Sequence, residues 1–192
     1  MATEPRYFVL ECFTPLDADP ADIAVLPEVE GVDSWMDGSL ITVPVPEPLE
    51  FVLDPNEPGP LKEMYNLDFL LMSERLVSAL VSAGVDNLQL FRAVIVDPET
   101  RSRREDYRVV NVIGRVAAAD LGKSTWTVPI GRPIIDVDFD SLAINEQRAS
   151  DLLLFRLAEC LSAIIVHASV RDALLSAGFD SLTFLNPKDY VG

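Results

Sequence analysis

Two stretches of the chain, LLMSERLVSALVSAGVDNLQLF at residues 70–91 and IIVHASVRDALLSAGFDSLTFL at residues 164–185, align without a gap at an offset of 94 positions. Seven positions are identical, and chance is a poor explanation for so many identities at one offset. We therefore expect two copies of one structural unit, and this repeat decides the predicted fold.

Each copy begins with a short apolar run, continues with a helical pattern and ends in a second apolar run, which predicts a strand, a helix and a strand. Gly84 and Gly178 fall just after the last helical turn, where a left-handed backbone ends the helix and only glycine adopts it without steric cost. Ser73 and Ser169 are the candidate N-caps. The predicted core-facing helix positions are Leu76, Val77, Leu80, Val170, Ala173 and Leu174.

Further strands are predicted outside the repeat. Residues 7–13 are rich in aromatic and β-branched side chains, and residues 90–96 and 107–116 indicate a hairpin joined by a polar, charged connection. Residues 126–130 and 134–139 also favour strands. Because strands outnumber the two strong helical patterns, we predict the α+β class: a single domain with a mixed, mostly antiparallel sheet and two similar strand-helix-strand units packed on it.

The first 69 residues differ in composition from the rest. They hold ten of the 14 prolines, and fifteen acidic residues against only Arg6 and Lys62, a formal charge of −13, whereas residues 70–192 carry only −3. Proline interrupts helices and sheet pairing but fixes backbone angles, so we predict long, fairly rigid loops with projecting acidic side chains. A simple linker is the alternative. We expect one domain over 1–192, with an acidic, proline-rich part (1–69) and a core (70–192).

Composition limits the possible partners and location. The total charge of −16 disfavours nucleic acid and favours an electropositive partner, although a generic acidic protein is the alternative. An acid and a proline stand near the start where a signal peptide needs a basic start and an apolar run, and no stretch is long enough for a membrane helix. Cys12 and Cys160 lie in apolar segments, as buried reduced thiols do. We predict a cytoplasmic protein without membrane contact.

Few residues could support catalysis. His167 is the single histidine, at the strand-to-helix junction that corresponds to Ser73, so a cap or core role is favoured over a general base. Cys160 precedes it by seven residues, a spacing that does not by itself place a thiol against an imidazole. The chain has no glycine-rich phosphate loop and no paired Cys or His ligands. We therefore predict that it is not an enzyme and needs no cofactor.

The most suggestive acidic motif is DVDFD at residues 136–140. Alternate residues of a strand point to one face, so its three carboxylates could bind a divalent cation. The motif does not begin an EF-hand, because Ser141 stands where glycine is needed and Gln147 where a bidentate glutamate is needed. We favour the alternative, the solvent face of an amphipathic strand. The carboxylates concerned are Asp136, Asp138 and Asp140.

Three sequence blocks, in this order and spacing, are similar to a known family. They are LMSERL at 71–76, YRVVNV at 107–112 and LLFRL at 153–157, the last followed by Ile165-Val166-His167. Over residues 70–185 the chain resembles the bacterial polymorphic-toxin immunity protein family, eleventh in the numbered series and formerly a domain of unknown function. The resemblance implies a cytosolic antidote to a toxin delivered by a neighbouring cell, with nucleases frequent among such toxins. It transfers no catalytic residues.

Three functional hypotheses follow. The principal one is an immunity protein that occludes a cognate, electropositive toxin stoichiometrically. The alternatives are a non-catalytic adaptor or scaffold in a secretion system and a metal-dependent hydrolase that uses the three aspartates of the DVDFD motif. For the principal hypothesis, the predicted contact residues are Asp54, Glu57, Asp136, Asp138 and Asp140.

Overall fold

The computed structural model describes residues 5–12, 19–128 and 137–192. In chain order the strands are β1 (Tyr7–Cys12), β2 (Ile23–Val25), β3 (Leu49–Leu53), β4 (Met64–Asn66), β5 (Leu70–Ser73), β6 (Leu88–Val96), β7 (Arg103–Val112), β8 (Arg115–Val116), β9 (Thr125–Thr127), β10 (Asp138–Ser141), β11 (Leu154–Leu157), β12 (Cys160–His167) and β13 (Leu182–Leu185). The helices are α1 (Glu74–Ser82), α2 (Glu146–Ala149) and α3 (Ala168–Ser176), and a 3₁₀ turn covers Pro187–Asp189. Within the described ranges, no helix has the length and apolar character needed to cross a membrane.

The strands form two large sheets and a small one. The six-stranded sheet has the order β2-β3-β6-β7-β5-β4, the five-stranded sheet has the order β13-β1-β12-β11-β8, and β9 pairs with β10. Most neighbours are antiparallel, whereas β3 with β6 and β8 with β11 are parallel. The predicted α+β class, with mostly antiparallel strands and two similar strand-helix-strand units, is confirmed. The division of the strands between separate sheets is an addition that the repeat does not specify.

The two copies of the repeat fold alike, and each encloses an antiparallel strand from elsewhere in the chain. In the first unit β7 lies between β5 and β6, with Val109 opposite both Leu71 and Phe91. In the second unit β1 lies between β12 and β13, with Val9 opposite both Ile165 and Leu185. Leu71 and Ile165 are equivalent positions of the repeat, and so are Phe91 and Leu185. The middle strand therefore pairs in the same register in both units.

The equivalence extends to one further strand in each unit. Tyr65 of β4 lies opposite Leu71, and Phe155 of β11 lies opposite Ile165, again at equivalent positions. We therefore define the first unit as β4, β5, α1, β6 and β7, and the second unit as β11, β12, α3, β13 and β1. The middle strand follows the repeat in the first unit but precedes it by about 150 residues of chain in the second, so the repeat at one offset does not reveal it.

Three apolar clusters follow from the alternation of side chains along the strands. The central cluster joins the facing sides of the two large sheets with α1 and α3, and the equivalent residues Leu80 and Leu174 are fully buried in it. A second cluster covers the other face of the five-stranded sheet and includes Phe139 of β10. A third covers the other face of the six-stranded sheet, where Phe51 of β3 and Trp35 pack. The loops of the candidate site adjoin strands of these outer layers.

The helix ends match the prediction in three of four places. Gly84 and Gly178 have φ values of 95° and 73°, as expected for residues that end a helix. Ser73 is the N-cap of α1, since its side chain accepts a hydrogen bond from the Leu76 amide. The prediction of Ser169 as a cap is wrong: α3 begins one residue before it, and the N-cap is His167. Serine is the more usual N-cap, and here the imidazole takes its place.

The predicted strands are present with shifted bounds. Residues 107–116 form two strands, β7 in the six-stranded sheet and β8 in the five-stranded sheet, because the chain passes between the sheets at residues 113–114. The first predicted strand is β1, and Phe13 lies outside the described residues. The strands predicted at 126–130 and 134–139 correspond to β9 and β10, while residues 129–136 between them also lie outside the described part.

Candidate functional site

Two acidic loops lie side by side where β2 pairs with β3. Residues 19–22 precede β2, and residues 54–60 follow β3. Backbone hydrogen bonds join the loops, because the amide of Asp54 donates to the carbonyl of Asp22 (2.9 Å) and the amide of Asp22 donates to the carbonyl of Glu57 (3.3 Å). We call residues 19–22 and 54–60 the acidic double loop. It brings the predicted residues Asp54 and Glu57 together with Asp19 and Asp22.

The sequence of this double loop makes it rigid. The Asp54 carboxylate accepts hydrogen bonds from the backbone amide (2.8 Å) and side-chain amide (2.9 Å) of Asn56, which fixes the turn. The three prolines within residues 54–60 restrict the backbone angles of this loop. A Cβ atom at Gly59 would collide with the Asp19 carbonyl oxygen, so only glycine permits the close approach of the two loops. The backbone that carries the acidic side chains is therefore held in place before any partner binds.

The carboxylates of the acidic double loop are not neutralised within the described structure. Asp19, Asp22, Asp54 and Glu57 form no ion pair with any described residue. Neighbouring acids behave differently; for example, the Glu63 carboxylate lies 2.6 Å from the Arg75 guanidinium. Three of these carboxylates, Asp19, Asp22 and Glu57, line a cleft of about 520 Å³, which Lys62 also lines.

A second cleft of about 340 Å³ opens between β1 and β4, and we call it the β1–β4 groove. Asp22 and Lys62 line both clefts, so the groove continues the acidic double loop. Glu11 of β1 lines the groove, and partial burial raises the pKa of its carboxyl. Tyr65 of β4 donates its hydroxyl hydrogen to the Ala21 carbonyl (3.1 Å), and burial raises the pKa of Tyr65 to about 12.

Sequence reasoning missed the groove residues. Glu11 lies in a run of aromatic and apolar residues that indicates a buried strand, although an acid in such a run is itself a signal. Lys62 is one of only two basic residues in the first 69, which also marks it as unusual. The meeting of β1 and β4, which are separated by 51 residues of chain, has no local signature.

The other predicted acidic group lies on β10. Asp138 and Asp140 are exposed, whereas Val137 and Phe139 are buried, as in an amphipathic strand. Asp136 lies outside the described residues. Among the residues that are described, no group of three His, Cys, Asp or Glu side chains could hold a metal ion.

The structure does not bring the described members of the two predicted groups into one site. Asp54 and Glu57 follow β3, whose Phe51 belongs to the cluster outside the six-stranded sheet. Asp138 and Asp140 flank Phe139, which belongs to the cluster outside the five-stranded sheet. The predicted contact residues therefore define two separate acidic surfaces.

The possible nucleophile and base are far apart. Cys160 and His167 stand at opposite ends of β12, a separation of about 20 Å for a strand of this length. The Cys160 sulfur is buried and lies 3.6 Å from the Tyr190 hydroxyl, whereas the His167 imidazole caps α3. This pair is not arranged for nucleophilic catalysis.

Comparison with known families gives a match over most of the chain. The model of the immunity protein family Imm11 matches residues 13–189, which includes the acidic double loop, most of both units and β10. A comparison with curated proteins found no match.

Proposed function

The chain belongs to the immunity protein family Imm11, and from this premise we propose that it is a cytoplasmic, non-catalytic antidote that neutralises its cognate toxin by stoichiometric binding. The toxin is delivered between bacterial cells and carries an electropositive surface, as a nuclease does where it binds phosphate. Occlusion of that surface by the antidote blocks access of the substrate.

One observation carries this proposal: the acidic double loop holds four carboxylates without internal counter-ions on a preorganised backbone. Uncompensated charge destabilises an isolated protein through self-repulsion but accelerates association with a basic partner. Preorganisation reduces the entropy lost on binding. Residues 1–69, which include the double loop, carry a formal charge of −13, so the adjoining sequence has the same sign of charge.

Co-expression with the product of the adjacent gene tests the function directly. Survival of the host and co-purification of a complex are the expected results. Toxicity that this chain does not relieve, without a complex, would show that the antidote function is wrong and would favour an adaptor or scaffold.

Two matched double variants then locate the surface. Asp54→Asn with Glu57→Gln removes two charges, while the amide oxygen introduced at position 54 can still accept the turn-forming hydrogen bonds. We expect association to slow by about tenfold at low ionic strength, with a weaker salt dependence. Asp138→Asn with Asp140→Asn removes the same charge from β10 and should leave the rate nearly unchanged. The reverse result would move the interface to β10. If neither double variant changes the association rate, neither acidic surface belongs to the interface.

A further inference from the structure

We propose that the β1–β4 groove receives an extended segment of the toxin and that a lysine or arginine side chain of this segment takes the place of the Lys62 ammonium. This inference rests on the proposed function and assigns a second, more specific contact to it.

The shape of the groove suits an extended peptide. Val9, Leu10 and Met64 give it an apolar lining, while Glu11 and Asp22 contribute carboxylates. Among the described strands β4 is the last of its sheet on this side, so part of its backbone faces away from β5. Peptides commonly bind along such edges through main-chain hydrogen bonds, with pockets for alternate side chains.

The Lys62 ammonium of the protein itself occupies the position that we assign to a cation of the partner. The Lys62 ammonium lies 5.4 Å from the centre of the Tyr65 ring, in the range of a cation–π contact. It forms no ion pair with a described carboxylate, although Asp22 and Glu11 line the same groove. The Lys62 side chain is therefore held weakly by the ring face, and a cation that also reaches a carboxylate can displace it.

Glu11 is the carboxylate that gains most from a bound cation. It has no hydrogen-bond or ion-pair partner among the described residues, and its pKa is raised by burial alone. A cationic side chain from a partner would supply the missing counter-charge in a partly dehydrated environment, where charge-assisted hydrogen bonds are strong.

Charge decides between the possible occupants of the groove. A second copy of this chain would bring two acidic double loops together, and nucleic acid would bring phosphates to the same carboxylates, so both are repelled. A basic protein segment complements the field of both clefts.

The native cysteines provide the test, because Cys12 lines the groove and is partly exposed while Cys160 is buried. The complex recovered by co-expression is compared with the free chain during alkylation by N-ethylmaleimide, and mass spectrometry reads the two cysteines separately. With free toxin at about ten times Kd, alkylation of Cys12 should slow about tenfold, since only unbound chain reacts. Cys160 should remain unreactive in both samples, which controls for unfolding.

Two substitutions test the cation. Glu11→Gln should weaken toxin binding by about tenfold or more, because the partner's charge loses its partly buried carboxylate. Lys62→Met should strengthen binding by a few-fold, since the competing ammonium is gone. Glu99→Gln, on the exposed β6–β7 turn, is the control and should have no effect.

The outcomes separate the two proposals. A stable complex in which Cys12 reacts at the free rate would overturn the groove proposal and leave the antidote function intact. Protection of Cys12 without any effect of Glu11→Gln and Lys62→Met would also overturn it, because occupation would not involve a cation. Failure to obtain a complex in the co-expression would overturn the antidote function and the groove proposal together.

Discussion

The two units share strand order, register and helix, yet they differ in the chemistry of three equivalent polar positions. At each of them the first unit carries a neutral side chain and the second an ionisable one. The equivalent pairs, first unit then second, are Asn66 and Arg156, Ser73 and His167, and Asn111 and Glu11.

At two of the three positions the neutral side chain is better partnered. Asn111 is buried, and its side-chain amide nitrogen donates to the Ser39 carbonyl oxygen (2.8 Å), whereas the Glu11 carboxylate has no hydrogen-bond or ion-pair partner among the described residues. Arg156 is fully buried and donates only through Nη1, to the Leu161 carbonyl (2.6 Å), while its Nε and Nη2 are unpartnered. We therefore expect two ionisable groups of the second unit, Arg156 and Glu11, to reduce stability relative to neutral side chains at the same positions. One of these, Glu11, lines the β1–β4 groove.

The largest effect should come from the shared core, where the units are alike. Leu80→Ala and Leu174→Ala each remove a fully buried side chain from the central cluster, so each should lower the free energy of unfolding by about 2–5 kcal/mol. Urea unfolding measures both. The exposed equivalent residues Val81 and Leu175 provide matched alanine controls, which should change stability by less than about 0.5 kcal/mol. A large loss from only one of the two buried leucines would show that the units do not contribute equally to the core.

The next largest effect is expected at Arg156, an ionisable group of the second unit whose burial should lower the free energy of unfolding. Burial lowers the pKa of Arg156 to about 10 and leaves two of its nitrogen groups unsatisfied. Because a buried cation without a counter-ion is costly, Arg156→Met should raise the free energy of unfolding by about 1–3 kcal/mol. Arg156→Ala removes the same charge but leaves a cavity, and it should be less stable than the methionine variant. A loss of stability in Arg156→Met would show that the guanidinium is stabilising where it lies.

The repeat explains how much of the fold is predictable from the sequence. Its apolar spacing gives the strand, helix and strand, and Gly84 and Gly178 give the helix ends, because these are local preferences of the backbone. The strands β1 and β7 and the β6–β7 hairpin are also predictable, but the pairing of β7 with β5 and of β1 with β12 and β13 is not, since it depends on contacts between distant parts of the chain. At the second cap the sequence indicates two candidates, Ser169 and His167, and does not decide between them.

The candidate site is predictable in part for the same reason. Asp54 and Glu57 can be selected because prolines and acids adjoin in one segment, and the alternation around Asp138 and Asp140 indicates an exposed strand face. Sequence does not show that residues 19–22 dock on residues 54–60, nor that Glu11 reaches the same region. Both depend on tertiary pairing of strands with no shared motif.

A smaller effect on stability is expected at the helix N-caps, Ser73 and His167, where the two units also differ. Ser73→Ala should cost about 1 kcal/mol or somewhat more, because the Leu76 amide loses its acceptor. His167→Ala should cost a similar amount, since Ser169 loses the bond from its amide to the imidazole (3.2 Å). His167→Ser gives the second unit the cap of the first and should retain most of the stability of the native chain in thermal unfolding. If His167→Ser is as unstable as His167→Ala, the imidazole contributes through another contact.

The smallest effect concerns Glu11 and depends on pH. Burial raises the pKa of Glu11 above its ordinary value of 4.5, so the folded chain holds this proton to a higher pH than the unfolded chain. Between the two pKa values the folded state binds more protons, and stability must fall as pH rises through that window. Relative to Glu11→Gln, the native chain should therefore be less stable at about pH 7, and the difference should disappear below about pH 4. Urea midpoints of both proteins across this range measure it.

A bound toxin should reverse the sign of this dependence. If a cation of the partner lies beside Glu11, the carboxylate is stabilised in its ionised form, and the pKa of Glu11 falls in the complex. The complex should then weaken as pH falls through the pKa of the free chain, and Glu11→Gln should remove that part of the pH dependence. A difference in stability between the free proteins that is constant with pH would mean that burial of the carboxylate is not its cause. A toxin affinity with the same pH profile in both proteins would place the cation elsewhere.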